Sequence, residues 1–118
     1  MTQVTFFINR SLIEGYRISG HADEDTEGPL GSLVCAGISA LSMATYNGLE
    51  GVCQIPEEDL KTQLEDGFLS VYVLDRDHLA RKEVQVLLKT LQLGLENIAG
   101  QYSQYIKINI QEVSDAFN

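Results

Sequence analysis

The hydrophobic pattern of this chain begins with a period of two and then changes. Val4-Thr5-Phe6-Phe7-Ile8 is rich in β-branched and aromatic residues, and Ile13 to Ser19 alternates with Tyr16 and Ile18 on one face. Asn9-Arg10-Ser11 and Glu14-Gly15 supply turn chemistry between or beside these runs, so the pattern predicts a β-hairpin. Residues 20–32 hold three Gly, one Pro and four acids, which reads as a surface loop. From Leu33 the period becomes helical. Val34, Ile38, Leu41, Thr45 and Leu49 mark one face, and Ala40, Ala44 and Gly48 let a second element approach closely. With Ser32 as N-cap and Gly51 near the end, a helix is predicted over about 33–51. Leu60 to Leu64 and Phe68 to Leu74 flank Glu65-Asp66-Gly67, an Asp-Gly turn that predicts a second hairpin. Asp77 then caps a predicted helix over about 78–99, with Val84, Leu87, Leu88, Leu91, Leu95 and Ile98 as its apolar stripe and Gly100 at its end. Tyr105 to Ile110 alternates again and reads as a last strand. The predicted order is ββαββαβ: an α+β fold with a mixed sheet and two helices.

Composition narrows the functional classes. At 118 residues, 44% of them hydrophobic, the chain is read as one domain, 1–118. Eight basic against 17 acidic residues give a net charge of -9. That charge repels a polyanion, so direct nucleic-acid binding is not expected, whereas a basic peptide is attracted. No apolar run is expected to approach the roughly 20 residues needed to cross a bilayer. Met1 to Thr5 lacks the basic region of a secretory signal. Cys35 and Cys53 do not make a disulfide framework, so a reducing cytoplasm is the expected setting.

The chain has only two His and two Cys. His21 closes a strand-like run and Cys35 falls near a predicted helix start. A cysteine attacks as its thiolate, which a helix N-terminus and a neighbouring imidazolium both favour. With Ser32 as cap, the amides of Leu33 to Cys35 would also be free to hold an oxyanion. Ser39 lies one turn beyond Cys35 on the same face. Gly28 and Gly31 would let the loop fold over a bound peptide. A structural reading stands beside this one: helix cysteines are usually small core residues, and a histidine after a strand is usually structural or exposed. His78 reads as a solvated residue at a helix start. No short His or Cys spacing suggests a metal, and no phosphate-cradling loop or catalytic-serine elbow is present. A redox role would call for a Cys-x-x-Cys pair, which is absent. No cofactor is expected.

Gly20-His21-Ala22, a variable loop, and then Leu33-Val34-Cys35-Ala36-Gly37-Ile38-Ser39-Ala40-Leu41 resemble the signature of the ribosomal-processing cysteine proteases of the Prp family. The similarity continues through Asn47-Gly48-Leu49, the Gly67 to Val73 strand and Tyr105 to Ile108. The resemblance implies a small α+β homodimer that removes the short, partly apolar N-terminal extension of the twenty-seventh large-subunit ribosomal protein, cutting after a Phe. The family's catalytic pair falls on His21 and Cys35, and its helix serine on Ser39. Ser32 stands where the family usually has Asp, and Leu30 where it usually has Gly, with Gly31 next to it. Serine can keep a capping role but brings no negative charge. One of Asp23, Glu24, Asp25 or Glu27 is available to supply it. The alternative is a non-catalytic acidic module that holds a basic ribosomal protein without cutting it.

Overall fold

A computed structural model of the chain describes residues 1–20 and 29–114. The first hairpin forms where the alternation predicts it, from β1 (Thr2–Asn9) and β2 (Leu12–Ser19). Arg10 and Ser11 make its turn with φ of 53° and 68°, the left-handed pair that a two-residue hairpin loop of matching twist requires. Glu14, read as turn chemistry, is instead part of a register shift that takes the pairing from Phe7↔Gly15 to Ile8↔Ile13.

α1 spans Pro29–Asn47, four residues earlier at its start than the periodicity predicts. Proline fits the first helical position because its fixed φ suits the helix and it has no amide hydrogen to leave unpaired. Ser32 therefore lies inside the helix and is not its N-cap. A π-helical turn, Gly48–Val52, and a 3₁₀ turn, Glu57–Asp59, lead to β3 (Leu60–Glu65) and β4 (Phe68–Val73). The second predicted long helix is divided. α2 (Arg76–Leu79) is capped by Asp75, not Asp77, whose side chain accepts from the amides of Asp77 and His78. α3 (Lys82–Gln101) follows after Arg81 in extended conformation and runs past Gly100. β5 is Ile106–Glu112.

The five strands form one mixed sheet in the order β3-β4-β2-β1-β5. β1 and β5 run parallel, and the other neighbours antiparallel. The α+β class and the strand–helix order are as predicted. Val4, Phe6, Tyr16, Ile18, Leu69 and Val71 share one buried cluster with Val34 and Ile38 of α1 and with Val84, Leu88, Leu91 and Leu95 of α3. The Tyr16 hydroxyl donates to the Ser42 carbonyl at 2.9 Å, and the Ser42 hydroxyl donates to the Ile38 carbonyl at 2.6 Å. The first bond ties α1 to the sheet, the second lies within α1, and burial pushes the Tyr16 phenol well above its ordinary range.

Two packing expectations change. Ala40, Ala44 and Leu41 are exposed; of the three small residues expected at the close helix–helix approach only Gly48 makes it, against Leu87, and Gly94 against Leu41 takes the place of the two alanines. The stretch Pro29–Val52, 24 residues with an 18-residue window of mean hydropathy 1.3, is also long and apolar enough to cross a membrane by length and composition. The sequence reading missed this because isolated Ser, Thr and Gly residues interrupt the apolar run without lowering its mean hydropathy far. Here one face of that helix lies against the sheet through Val34 and Ile38.

Candidate active site

Cys35 is half-buried and opens into a cavity of about 250 Å³. Its place on α1 follows from the early helix start. Side chains on a helix lean toward its N-terminus, so Cys35 reaches back over the positions three and four residues earlier. Those positions are Ser32, which is exposed, and Gly31, which is buried. Ser32 is thus a helical neighbour of Cys35 and not the cap of its helix. The amides of Leu33, Val34 and Cys35, expected to be free for an oxyanion, lie within the hydrogen-bonded ladder of a helix that starts at Pro29. The unpaired amides of such a helix are a turn earlier, at Leu30 and Gly31.

Gly20 and Ser39 line the same cavity as Cys35. Gly20 adopts φ 87°, and a Cβ at this position would fall 2.7 Å from the Met1 carbonyl oxygen, so only glycine fits both the backbone and the space. Its amide donates to the Gly67 carbonyl at 2.8 Å. That bond fixes the end of β2 against the β3–β4 turn, at the rim of the cavity. His21 follows Gly20 by one peptide bond; His21, Asp23, Glu24, Asp25, Glu27 and Gly28 lie outside the described residues.

The cavity also includes residues the sequence reading missed. Leu64, Glu65, Asp66, Gly67 and Phe68 form the wall opposite α1, and Met43 and Ile38 extend the α1 side. The hairpin that carries Leu64 to Phe68 was visible in the sequence, but nothing local tied it to Cys35. The cavity is smaller than the roughly 300–1,000 Å³ of pockets that enclose a drug-sized ligand. It suits one bulky side chain.

The second histidine and the second cysteine sit elsewhere. His78 Nε2 lies 3.2 Å from Asp59 Oδ2, and the Arg81 guanidinium is 3.1 Å from His78 Nδ1. Arginine can only donate, so Nδ1 accepts and the ring proton faces Asp59. Arg81 also donates to the Cys53 carbonyl at 2.7 Å. His78 is therefore a structural link between the 3₁₀ turn and α3, not the solvated residue expected. Cys53 is buried; burial pushes its thiol up, partly offset by Arg81. Neither residue lines the Cys35 cavity.

The model of one family, described as cysteine protease Prp, matches residues 1–107. The chain belongs to this family. A ribosomal processing cysteine protease Prp from Staphylococcus aureus is 27% identical over 92 residues, covering 78% of this chain and 81% of the relative. Among solved structures, SMU.848 from Streptococcus mutans superposes with a TM-score of 0.76 at 26% identity, over 96% of each chain. The essential ribosomal processing protease Prp from S. aureus, in complex with a covalently linked product peptide, gives a TM-score of 0.77 at 25% identity, over 94% of this chain and 100% of that one. Membership in the Prp family makes this chain a member of a cysteine protease family, with the mixed sheet and helices described above.

Proposed function

We propose that this protein is a cysteine endopeptidase that removes the N-terminal extension of the twenty-seventh large-subunit ribosomal protein. The observation that carries the reading is that Cys35 and Gly20, the residue before His21, line one cavity. Cys35 attacks the scissile carbonyl. His21 takes the thiol proton and returns it to the leaving amine. His78 does not compete for this role, because Asp59 and Arg81 hold it outside the cavity. Ser39, on the cavity wall one turn after Cys35, orients the reacting groups. Ser32 flanks the thiol from three residues earlier on α1. No cofactor takes part. The enzyme acts in the cytoplasm, where both cysteines remain thiols.

Incubation with a synthetic peptide spanning the ribosomal-protein extension, followed by intact-mass measurement, tests the reading. Two fragments, cut after an aromatic residue, are expected. An unchanged mass in the presence of binding would instead establish the acidic, non-catalytic module.

Two further parts of the reading have their own measurements. The acidic segment should draw in a basic peptide, with exposed charges screened beyond about 8–10 Å. Neutralising Asp23, Glu24, Asp25 and Glu27 together should raise KM at low salt and leave it nearly unchanged at high salt. A KM insensitive to both changes removes the electrostatic role. The protein is also read as a homodimer. Leu33, Ala36, Ala40 and Ala44 of α1 and Val86 and Leu93 of α3 are exposed, an apolar helical surface that a second copy would cover. Sedimentation equilibrium should give twice the chain mass, and a monomer at every concentration overturns the dimer.

A further inference from the structure

Among the described residues β3 is the outer strand of the sheet on its side, paired only with β4, and it ends at the Cys35 cavity through Leu64 and Glu65. Which of its backbone groups face outward follows from the phase of the ladder. The Leu74 amide donates to the Asp59 carbonyl at 2.8 Å, and across β4 the Gly20 amide donates to the Gly67 carbonyl at 2.8 Å. Hydrogen-bonded and non-bonded pairs alternate along an antiparallel ladder. Lys61, Gln63 and Glu65, opposite Tyr72, Ser70 and Phe68, therefore bond to β4. Thr62 and Leu64 turn their N–H and C=O groups away from the sheet.

Of the usual protections against pairing with another chain, this edge keeps a short length of six residues and one lysine, Lys61, but lacks the others. The β3–β4 ladder contains no register shift, and β3 contains no proline. The side chain of Leu64 shares the helix-side face with its cross-strand partner Leu69. Leu69 is 7% exposed but Leu64 is 63% exposed, and among the described residues no strand lies beyond β3. Across the cavity from Leu64 stand Cys35, Ser39 and Met43 of α1. An unpaired strand edge and a nucleophile thus border one groove.

We propose that the substrate binds as an additional β-strand on the edge of β3. Its backbone pairs with Thr62 and Leu64, and one bulky apolar side chain enters the cavity between Leu64 and Met43. The carbonyl to be attacked is delivered to Cys35. The inference rests on the protease reading and specifies how that site holds its peptide. The occupant is an extended peptide that carries a bulky apolar residue with basic ones near it. Its basic part suits Glu65 and Asp66, both exposed where β3 turns, and the net charge of -9. Strand addition draws affinity from the main chain and selectivity from alternate side chains. Sequence preference should therefore fall on every second substrate residue.

The test is a series of cleavable peptides, each with a single backbone N-methyl group that removes one donor without changing a side chain. KM should rise about 10-fold at alternate positions, the scale of one lost hydrogen bond plus the steric cost of the methyl group. The intervening positions should cleave like the parent peptide. Leu64→Pro deletes an outward N–H at an edge position where proline is tolerated. It should raise KM beyond the effect of Leu64→Ala, with kcat retained. A uniform response along the peptide, or none, overturns strand pairing while cleavage of the parent peptide keeps the protease reading standing. If the parent peptide is not cleaved at all, both fall together.

Discussion

Replacing Cys35 with alanine should lower peptide cleavage by about 10³-fold or more, because groups that act as one catalytic unit lose nearly everything when the nucleophile goes. The substitution is structurally mild. Cys35 is half-buried within α1, and alanine is the better helix former, so the variant should fold and still bind the peptide. Cys53 is the internal control. It is buried, and burial pushes its thiol up, so it carries less thiolate near neutral pH and reacts slowly. Iodoacetamide at limiting concentration should add one equivalent, located on Cys35 by peptide mass analysis, with activity lost in step. Cys53→Ala should cleave normally, at some cost in stability from the shortened core side chain. Wild-type cleavage by Cys35→Ala would sink the mechanism, and first labelling at Cys53 would show that the accessible thiol had been misassigned.

The strands were legible because their period of two appears in consecutive residues, and the long helices because their apolar stripes recur over many turns. Their ends were not, since local chemistry offered rivals at each. Ser32 is a good cap, but Pro29 is a better first helical residue, and the helix starts there. Asp75 and Asp77 can both cap a helix. Asp75 prevails, and the break before α3 accompanies a hydrogen bond from Arg81 to the Cys53 carbonyl, far away in sequence. The site divides in the same way. Gly20, Cys35 and Ser39 stand in recognisable local text and prove to share a cavity. Its other wall, Leu64 to Phe68, depends on the hydrogen bond between Gly20 and Gly67, a long-range pairing that no local pattern announces. The early start of α1 has a chemical consequence as well. It withdraws the Leu33 to Cys35 amides into the helix and leaves those of Leu30 and Gly31 without a partner inside the helix.

Gln85→Leu should cost about 3 kcal/mol or more of folding stability, the largest effect expected of a single substitution away from the cavity. Gln85 is 6% exposed and satisfies three backbone groups. Its Oε1 accepts from the Ile13 amide at 2.9 Å. Its Nε2 donates to the carbonyls of Ile13 at 2.9 Å and Leu79 at 3.0 Å. One side chain thus joins α3 to the start of β2 and the end of α2. Leucine of similar size leaves all three groups buried without partners, at roughly 1–3 kcal/mol each. Urea unfolding should show a lower midpoint with an unchanged slope. Gln85 does not line the Cys35 cavity, so kcat per folded molecule should hold at low temperature. Gln85→Glu provides a signed check. Its carboxylate can accept from Ile13 but faces two carbonyls that need a donor, so burial raises its folded pKa above the unfolded value. Stability should therefore be recovered as pH falls through that raised pKa, when the protonated acid regains an O–H, and lost as pH rises through it. A Gln85→Leu variant as stable as wild type, or a Gln85→Glu deficit indifferent to pH, would remove Gln85 as the link among these three elements.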